Sequence, residues 1–225
     1  MRIVMIFNHS PLELPKIERV HKDGVRYYKL PDSDTDKLFV SITSITSFYN
    51  REIFKNWRKK IGEAEANRIT NRATSRGTDT HTLIEAYTSN LDLPEVQELS
   101  HKLFEISKPA LHRIGTIYGM EIPMYSETLG IAGTCDCIAE FDGELSIIDY
   151  KTAEKPKKRE WLDHYMVQAV AYSAMLHELT GLCAKKLVII MTCENGELEV
   201  YEERDILKYL KLLIKYVKHY VKENS

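Results

Sequence analysis

Asp136, Asp149 and Lys151 flank an Asp-Gly pair in the middle of the chain. The segment reads Thr134-Cys135-Asp136-Cys137-Ile138-Ala139-Glu140-Phe141, then Asp142-Gly143, then Glu144-Leu145-Ser146-Ile147-Ile148-Asp149-Tyr150-Lys151. Asp-Gly between two β-rich runs predicts a two-residue hairpin. With that turn Phe141 faces Glu144, and counting outward sets Asp136 opposite Asp149. Lys151 lies two residues further and shares the face of Asp149. Opposed side chains have Cβ atoms roughly 4.5–5.5 Å apart, and like charges there repel. A divalent cation between them removes the conflict, and Mg²⁺ takes one or two carboxylates plus waters and phosphate oxygens. The adjacent ammonium can steady a nucleophilic water or charge developing on phosphorus. The plain alternative is a surface hairpin with two unrelated acids and a lysine.

The elements that must position these residues follow from patterning along the chain. Residues 1–40 read as a β-rich lead-in, with a hairpin at Val20-His21-Lys22-Asp23-Gly24-Val25-Arg26-Tyr27. Pro31-Asp32-Ser33-Asp34-Thr35-Asp36 is a polar connector. Helical periodicity runs from Ile42 to about Lys60, with Ser44 or Thr43 as cap and Phe48, Ile53, Phe54 and Trp57 as its apolar set. Two more helices are expected over about 63–87, interrupted near Gly77, and over about 94–118. Three consecutive strands follow at 119–129, 132–141 and 144–151. After the basic loop Lys155-Pro156-Lys157-Lys158-Arg159 comes an amphipathic helix over about 160–179, ended by Gly181. A buried strand at 186–192 turns at Asn195-Gly196 into a partner at 197–202, and a last helix covers about 205–223. Without repeats or a Gly/Ser/Pro-rich linker, the expectation is a single α/β domain over 1–225: an N-terminal elaboration to residue 60, a core at about 64–203 and a C-terminal helix.

Composition sets limits. The chain has 225 residues, 44% apolar and 28% charged, as an ordinary globular domain does. A formal net charge of −2 argues against coating nucleic acid by bulk charge, but leaves room for a local basic track. Cys135, Cys137, Cys183 and Cys193 form no C-x-x-C pair and read as small buried residues rather than a zinc or iron–sulfur site. No run reaches the ~18 apolar residues of a membrane span. The start shows neither a signal peptide nor a transit peptide, so the expected compartment is a bacterial cytoplasm, the host's if the protein is phage-encoded.

The order helix, three strands, helix, strand, with Asp136 on one strand and Asp149-Tyr150-Lys151 on the next, resembles the PD-(D/E)XK nuclease superfamily. Gly77-Thr78-Asp79-Thr80-His81-Thr82-Leu83-Ile84-Glu85 is similar to the G-x-x-x-H-x-x-x-E helix of the RecB-type branch, and Gln168-Ala169-Val170-Ala171-Tyr172 to its Q-x-x-x-Y helix. Glu127-Thr128-Leu129, Ile148-Asp149-Tyr150-Lys151-Thr152 and Glu154-Lys155-Pro156 resemble the exonuclease group that maintains mitochondrial genomes, with its bacterial and phage relatives. Cys135 stands where the signature has proline, which leaves the ligand Asp136 in place.

The resemblance implies an α-β-β-β-α-β core with a mixed central sheet flanked by helices and an N-terminal extension. It implies Mg²⁺, with Mn²⁺ able to substitute, held by Asp136, Asp149, His81 and the Tyr150 backbone carbonyl, with Lys151 placing the attacking water. Gln168 and Tyr172, four apart on one helix face, approach the active centre, Gln168 toward a phosphate or ligand and Tyr172 toward the strand backbone. Lys155, Lys157 and Lys158 line a phosphate track. Glu85, one turn after His81, is a weak candidate for orienting it; Glu127 is a weak candidate ligand and Glu121 a weaker one. Phe48, Trp57 and Arg58 are candidates for a single-strand passage or for core. Lysines on the last helix suit either a membrane surface or a packed helix with its charges in water. The implied activity is a metal-dependent exonuclease on DNA, single-stranded or at free ends, in replication, recombination or repair. Alternatives are a structure-selective endonuclease for flaps or branches, and a non-catalytic DNA-binding module.

Overall fold

A computed structural model of the chain describes residues 5–30 and 37–224; the expected connector at 31–36 lies outside them. Strands β1 (Glu18–Lys22) and β2 (Val25–Lys29) form the first hairpin around Asp23-Gly24. Strand β3 (Leu38–Ser41) runs directly into α1 (Ile42–Tyr49), so Ser41 takes the N-cap position in place of Thr43 or Ser44. The expected single helix breaks at Asn50, and α2 (Arg51–Ile61) follows. Helix α3 (Glu63–Thr88) passes Gly77 without interruption. One glycine costs a helix interior only about 1 kcal/mol, and the packing of Leu83 and Ile84 carries the helix on. Helix α4 (Glu98–Leu111) stops short of Tyr118, and β4 (Ile114–Ser126) begins there. Backbone bonds from the N-terminal segment hold that start extended, Ser10 N to Ile117 O and Ile117 N to Asn8 O, both 2.8 Å.

The central hairpin follows: β5 (Ile131–Phe141) and β6 (Glu144–Ala153) pair with Phe141 opposite Glu144 and Cys137 opposite Ile148. Asp142 and Gly143 both have positive φ, 52° and 77°, as a two-residue turn of this hand requires. A 3₁₀ turn (Arg159–Trp161) leads into α5 (Asp163–Thr180), then β7 (Lys186–Cys193), β8 (Leu198–Glu203) and α6 (Ile206–Asn224).

Among the described residues eight strands make one mixed sheet in the order β1-β2-β3-β5-β6-β7-β8, with β4 on β5. Strand β4 covers one edge of β5 from Ile131 to Phe141. The other edge is shared: β3 pairs in parallel only at Ile131 and Ala132, and β6 pairs only from Cys137 onward. The sheet therefore forks along Gly133 to Asp136. Helices α1, α5 and α6 cover one face, packing Ile42, Val170, Leu176 and Leu213 onto Ile138 and Ile147. Leu83 of α3 and Phe104 of α4 cover the other, against Phe141 and Ile148. Strand β7, parallel to β6 and buried throughout, reads as the continuous apolar run such a central strand needs. Helix α6 packs Tyr209, Leu213 and Tyr216 inward. No helix among the described residues is long and apolar enough to cross a membrane.

At the turn end of the sheet Lys186 is buried, 1% exposed, with Nζ 2.8 Å from Glu202 and 3.5 Å from Asp142. Arg113 also bridges Asp142 and Glu202. Lys186→Ala should destabilise the fold by about 2–3 kcal/mol in a urea titration, from the cavity and the lost ion pairs. Half-exposed carboxylates that keep Arg113 hold the loss below that of an orphaned buried charge. A change under 0.5 kcal/mol would show that this network contributes little.

Candidate active site

The fork positions the acids. Continued one step beyond Cys137 and Ile148, the register sets Asp136 opposite Asp149, where the backbone ladder gives way to a side-chain bond. Asp136 Oδ2 accepts from Tyr150 N at 2.9 Å. Asp149 is fully buried, and Lys151 Nζ is in ion-pair contact with its Oδ2. Among the described residues no donor other than the Lys151 ammonium reaches the Asp149 carboxylate. Burial pushes the Asp149 carboxyl up to about 6, against the opposing pull of Lys151. Lys151 is the mirror case: burial lowers its pKa, but Asp149 and Asp136 outweigh this and hold it raised.

Helix α3 brings His81 over the same point. Its Nε2 lies 2.8 Å from the Tyr150 carbonyl. A carbonyl only accepts, so Nε2 carries the proton, and in the neutral ring the lone pair is on Nδ1. That Nδ1 faces Asp136 Oδ2 at 3.7 Å and Glu121 Oε1 at 3.9 Å. Burial lowers the His81 pKa, but Asp136, Glu121 and Asp149 outweigh it and leave it raised. His81, Glu121 and Asp136 offer three ligand atoms within 4.8 Å of one another. Around a hard cation with ligands at about 2.0–2.1 Å, ligand atoms stand about 3–4 Å apart. The donor set of His81, Glu121 and Asp136 thus fits a divalent cation.

Glu121 is the residue that sequence reasoning undervalued. Its φ is 45°, which for a non-glycine residue costs on the order of 1 kcal/mol. The Tyr150 carbonyl, expected to face the cation, also accepts a hydrogen bond from His81 Nε2. It also takes the orienting place expected of Glu85, which is exposed and lines the adjoining cleft with Arg19, Gly77, Thr78 and Glu121. Glu127 is not brought to the site: it lies in the turn after β4 and pairs with Lys37 at 3.6 Å.

Arg76, 7% exposed, ties α3 to the end of the catalytic strand. Its Nε donates to Thr152 Oγ1 at 3.1 Å and its Nη1 pairs with Glu194; nothing in the sequence marks it. Gln168 Nε2 donates to Tyr172 Oη at 3.1 Å. The buried Tyr172 ring fills the fork so closely that a Cβ on Gly133 would stand 2.8 Å from its Cε1. Lys155 and Lys158 are exposed, whereas Lys157 Nζ donates to Tyr165 Oη at 2.5 Å. Tyr165, three residues before Gln168 on one helix face, had that spacing as its only sequence signal.

Beside this centre a groove of about 680 Å³ runs along α1 and α2, lined by Asn50, Arg51, Phe54, Lys55, Arg58 and His164. Phe54 is 47% exposed and stacks near Trp57. Phe48 is instead taken up against Tyr220 of α6 and under Arg51. The buried thiols belong to no metal cluster among the described residues, and burial pushes Cys137 up to about 12.

Residues 104–205 match the family model of the PD-(D/E)XK nuclease superfamily. The chain is 30% identical over 136 residues to mitochondrial genome maintenance exonuclease 1 of Homo sapiens, covering 56% of this chain and 39% of that protein. The Mus musculus protein of that name is 37% identical over 79 residues, 34% of this chain and 21% of the relative. The chain thus spans well under half the length of these relatives. A crystal structure of a candidate exonuclease from Eubacterium rectale superposes with a TM-score of 0.50 at 12% identity, covering 67% of this chain and 65% of that one. At that identity the likeness concerns the fold. The family match to the PD-(D/E)XK nuclease superfamily spans β4, β5, β6, α5, β7 and β8, and so includes the hairpin that carries Asp136, Asp149 and Lys151.

Proposed function

We propose that the protein is a metal-dependent DNA exonuclease that hydrolyses phosphodiester bonds at free ends, preferring single strands. One observation carries the reading: the fully buried Asp149 carboxylate and the facing Asp136 have one ammonium between them, that of Lys151. The excess negative charge is costly unless a further cation offsets it. His81, Asp136, Glu121 and Asp149 would hold that cation, Mg²⁺ or Mn²⁺, which when bound acidifies water and polarises the phosphate. Tyr150 orients His81 through its carbonyl. Lys151 holds the attacking water and offsets charge at the scissile phosphate. Gln168 and Tyr172 brace the fork, and Lys155, Lys157 and Lys158 guide the polyanion. The groove with Phe54 and Arg58 supports single strands, because an aromatic face and cations accept any base. The names of the curated relatives agree with an exonuclease.

End-labelled linear DNA and covalently closed single-stranded circles, with and without Mg²⁺, test the reading. Degradation of linear single strands with intact circles is the expected result; cut circles favour the endonuclease, and binding without turnover in Mg²⁺ or Mn²⁺ ends the enzyme reading. A further expectation concerns pH. The cation must displace a proton from Asp149 below about pH 6, the value to which burial raises that carboxyl. Mn²⁺ titrations of activity should therefore show affinity weakening as pH falls through that value, by up to about tenfold per unit. Constant affinity across it would exclude Asp149 as a ligand.

A further inference from the structure

Lys157 is held at both ends. Tyr201 Oη donates to its carbonyl at 3.1 Å, and its own Nζ donates to Tyr165 Oη at 2.5 Å. The Lys157 ammonium lies 4.8 Å from the centroid of the Tyr165 ring, and the Lys151 ammonium lies 5.3 Å from the same centroid. Two like charges thus approach one tyrosine, Lys157 at its hydroxyl and Lys151 within 5.3 Å of its ring centre. Lys151 has Asp149 as its counter-charge. Among the described residues no carboxylate comes within ion-pair distance of Lys157, so its ammonium is held in place by a neutral hydroxyl. His164 lies tilted at 48° against the same ring, centroids 3.9 Å apart, and lines the α1–α2 groove. Burial, then the charges of Lys157 and Lys151, hold it neutral with a pKa of about 4.

We propose that Lys157 is a preformed subsite for the phosphodiester next to the scissile one, and that Tyr165 is the positioning residue that couples this subsite to Lys151. The proposal rests on the nuclease reading above. A polynucleotide whose scissile phosphate meets Lys151 must present a neighbouring phosphate close by, and Lys157 is an ammonium fixed in advance to receive it. Fixing it before binding spares the ordering entropy of a free lysine side chain. The ring links the two cations, so loss of the Tyr165 hydroxyl and loss of the Lys157 charge should act as one defect.

The test is a double-mutant cycle of Tyr165→Phe, Lys157→Met and the pair. It is read as KM and kcat on a linear oligothymidylate, and as anisotropy of the labelled oligomer in EDTA. Each single change should weaken binding roughly 3- to 20-fold, with the loss falling mainly on KM. The double variant should be no worse than the weaker single. A neutral methylphosphonate scanned along the substrate should reproduce the Lys157→Met defect at one linkage beside the cleaved bond, and add nothing in that variant. Independent, multiplying losses or single variants that bind as the parent does would overturn the coupling; an equal methylphosphonate penalty in parent and Lys157→Met would overturn the subsite. A parent inactive on all DNA would fail the nuclease reading instead, and the EDTA cycle would still decide the coupling.

Discussion

Asp149→Asn and Lys151→Ala each abolish turnover, with at least about 10³-fold lost from kcat, while circular dichroism and gel filtration match the parent. In the proposed mechanism both groups sit where the phosphate reacts, so the loss falls on chemistry. The contact made by Asp149 is its ion pair with Lys151, so asparagine, equal in shape, removes the charge with little change in packing. Lys151 is 18% exposed, and its contact is the carboxylate it would share with the cation. Single-turnover assays with enzyme in excess are the measurement. A folded variant that keeps a tenth of the parental rate would show that the acid pair and its lysine are not the catalytic centre.

Gly133→Ala should cost about 2 kcal/mol, a fall of roughly 4–8 °C in Tm, and at least about tenfold in cleavage. A Cβ there would stand 2.8 Å from Tyr172 Cε1 and 3.0 Å from Ile42 Cγ2, both buried, so the ring must leave the fork. The contrast is Gly77, whose added Cβ would meet Thr152 Oγ1 at an ordinary 3.8 Å. Gly77→Ala should leave the fold at least as stable, because alanine favours a helix interior by about 1 kcal/mol. Thermal melts of the two variants separate packing at the fork from helix propensity. Equal Tm values would mean that Tyr172 yields without cost.

What could be read from the sequence was local. Asp142-Gly143 sets a turn by backbone conformation alone, and the pairing of Phe141 with Glu144 follows by counting. His81 and the Gln168–Tyr172 pair were marked by the resemblance of their segments to family motifs; helical period alone singles out neither. Glu121 was not, because the turn between β4 and β5 at residues 127–130 carries no two-residue signal from which to count. The register is regular from Ser126 opposite Ile131 to Gly119 opposite Ile138, which sets Glu121 across from Asp136, and Glu121 itself has positive φ. The fork was invisible for another reason. It depends on parallel pairing of Val40 and Ser41 with Ile131 and Ala132, residues some ninety positions away, and two pairs leave no periodic trace. Asn50 ended a helix that the apolar pattern would have continued, and Gly77 failed to end one. Tertiary contacts outweighed propensity in both places.

The turn at Asp142-Gly143 has an evolutionary corollary. Its two residues can be exchanged for others that tolerate their backbone, such as Asn-Gly, at little cost. Its length cannot change, because one inserted or deleted residue would rotate every side chain of one strand through half a revolution and carry Asp149 and Lys151 to the far side of the sheet. Lineages descending from this chain should therefore accumulate indels in the loops around the sheet while this one loop keeps its count, a gauge for the distance between two acids.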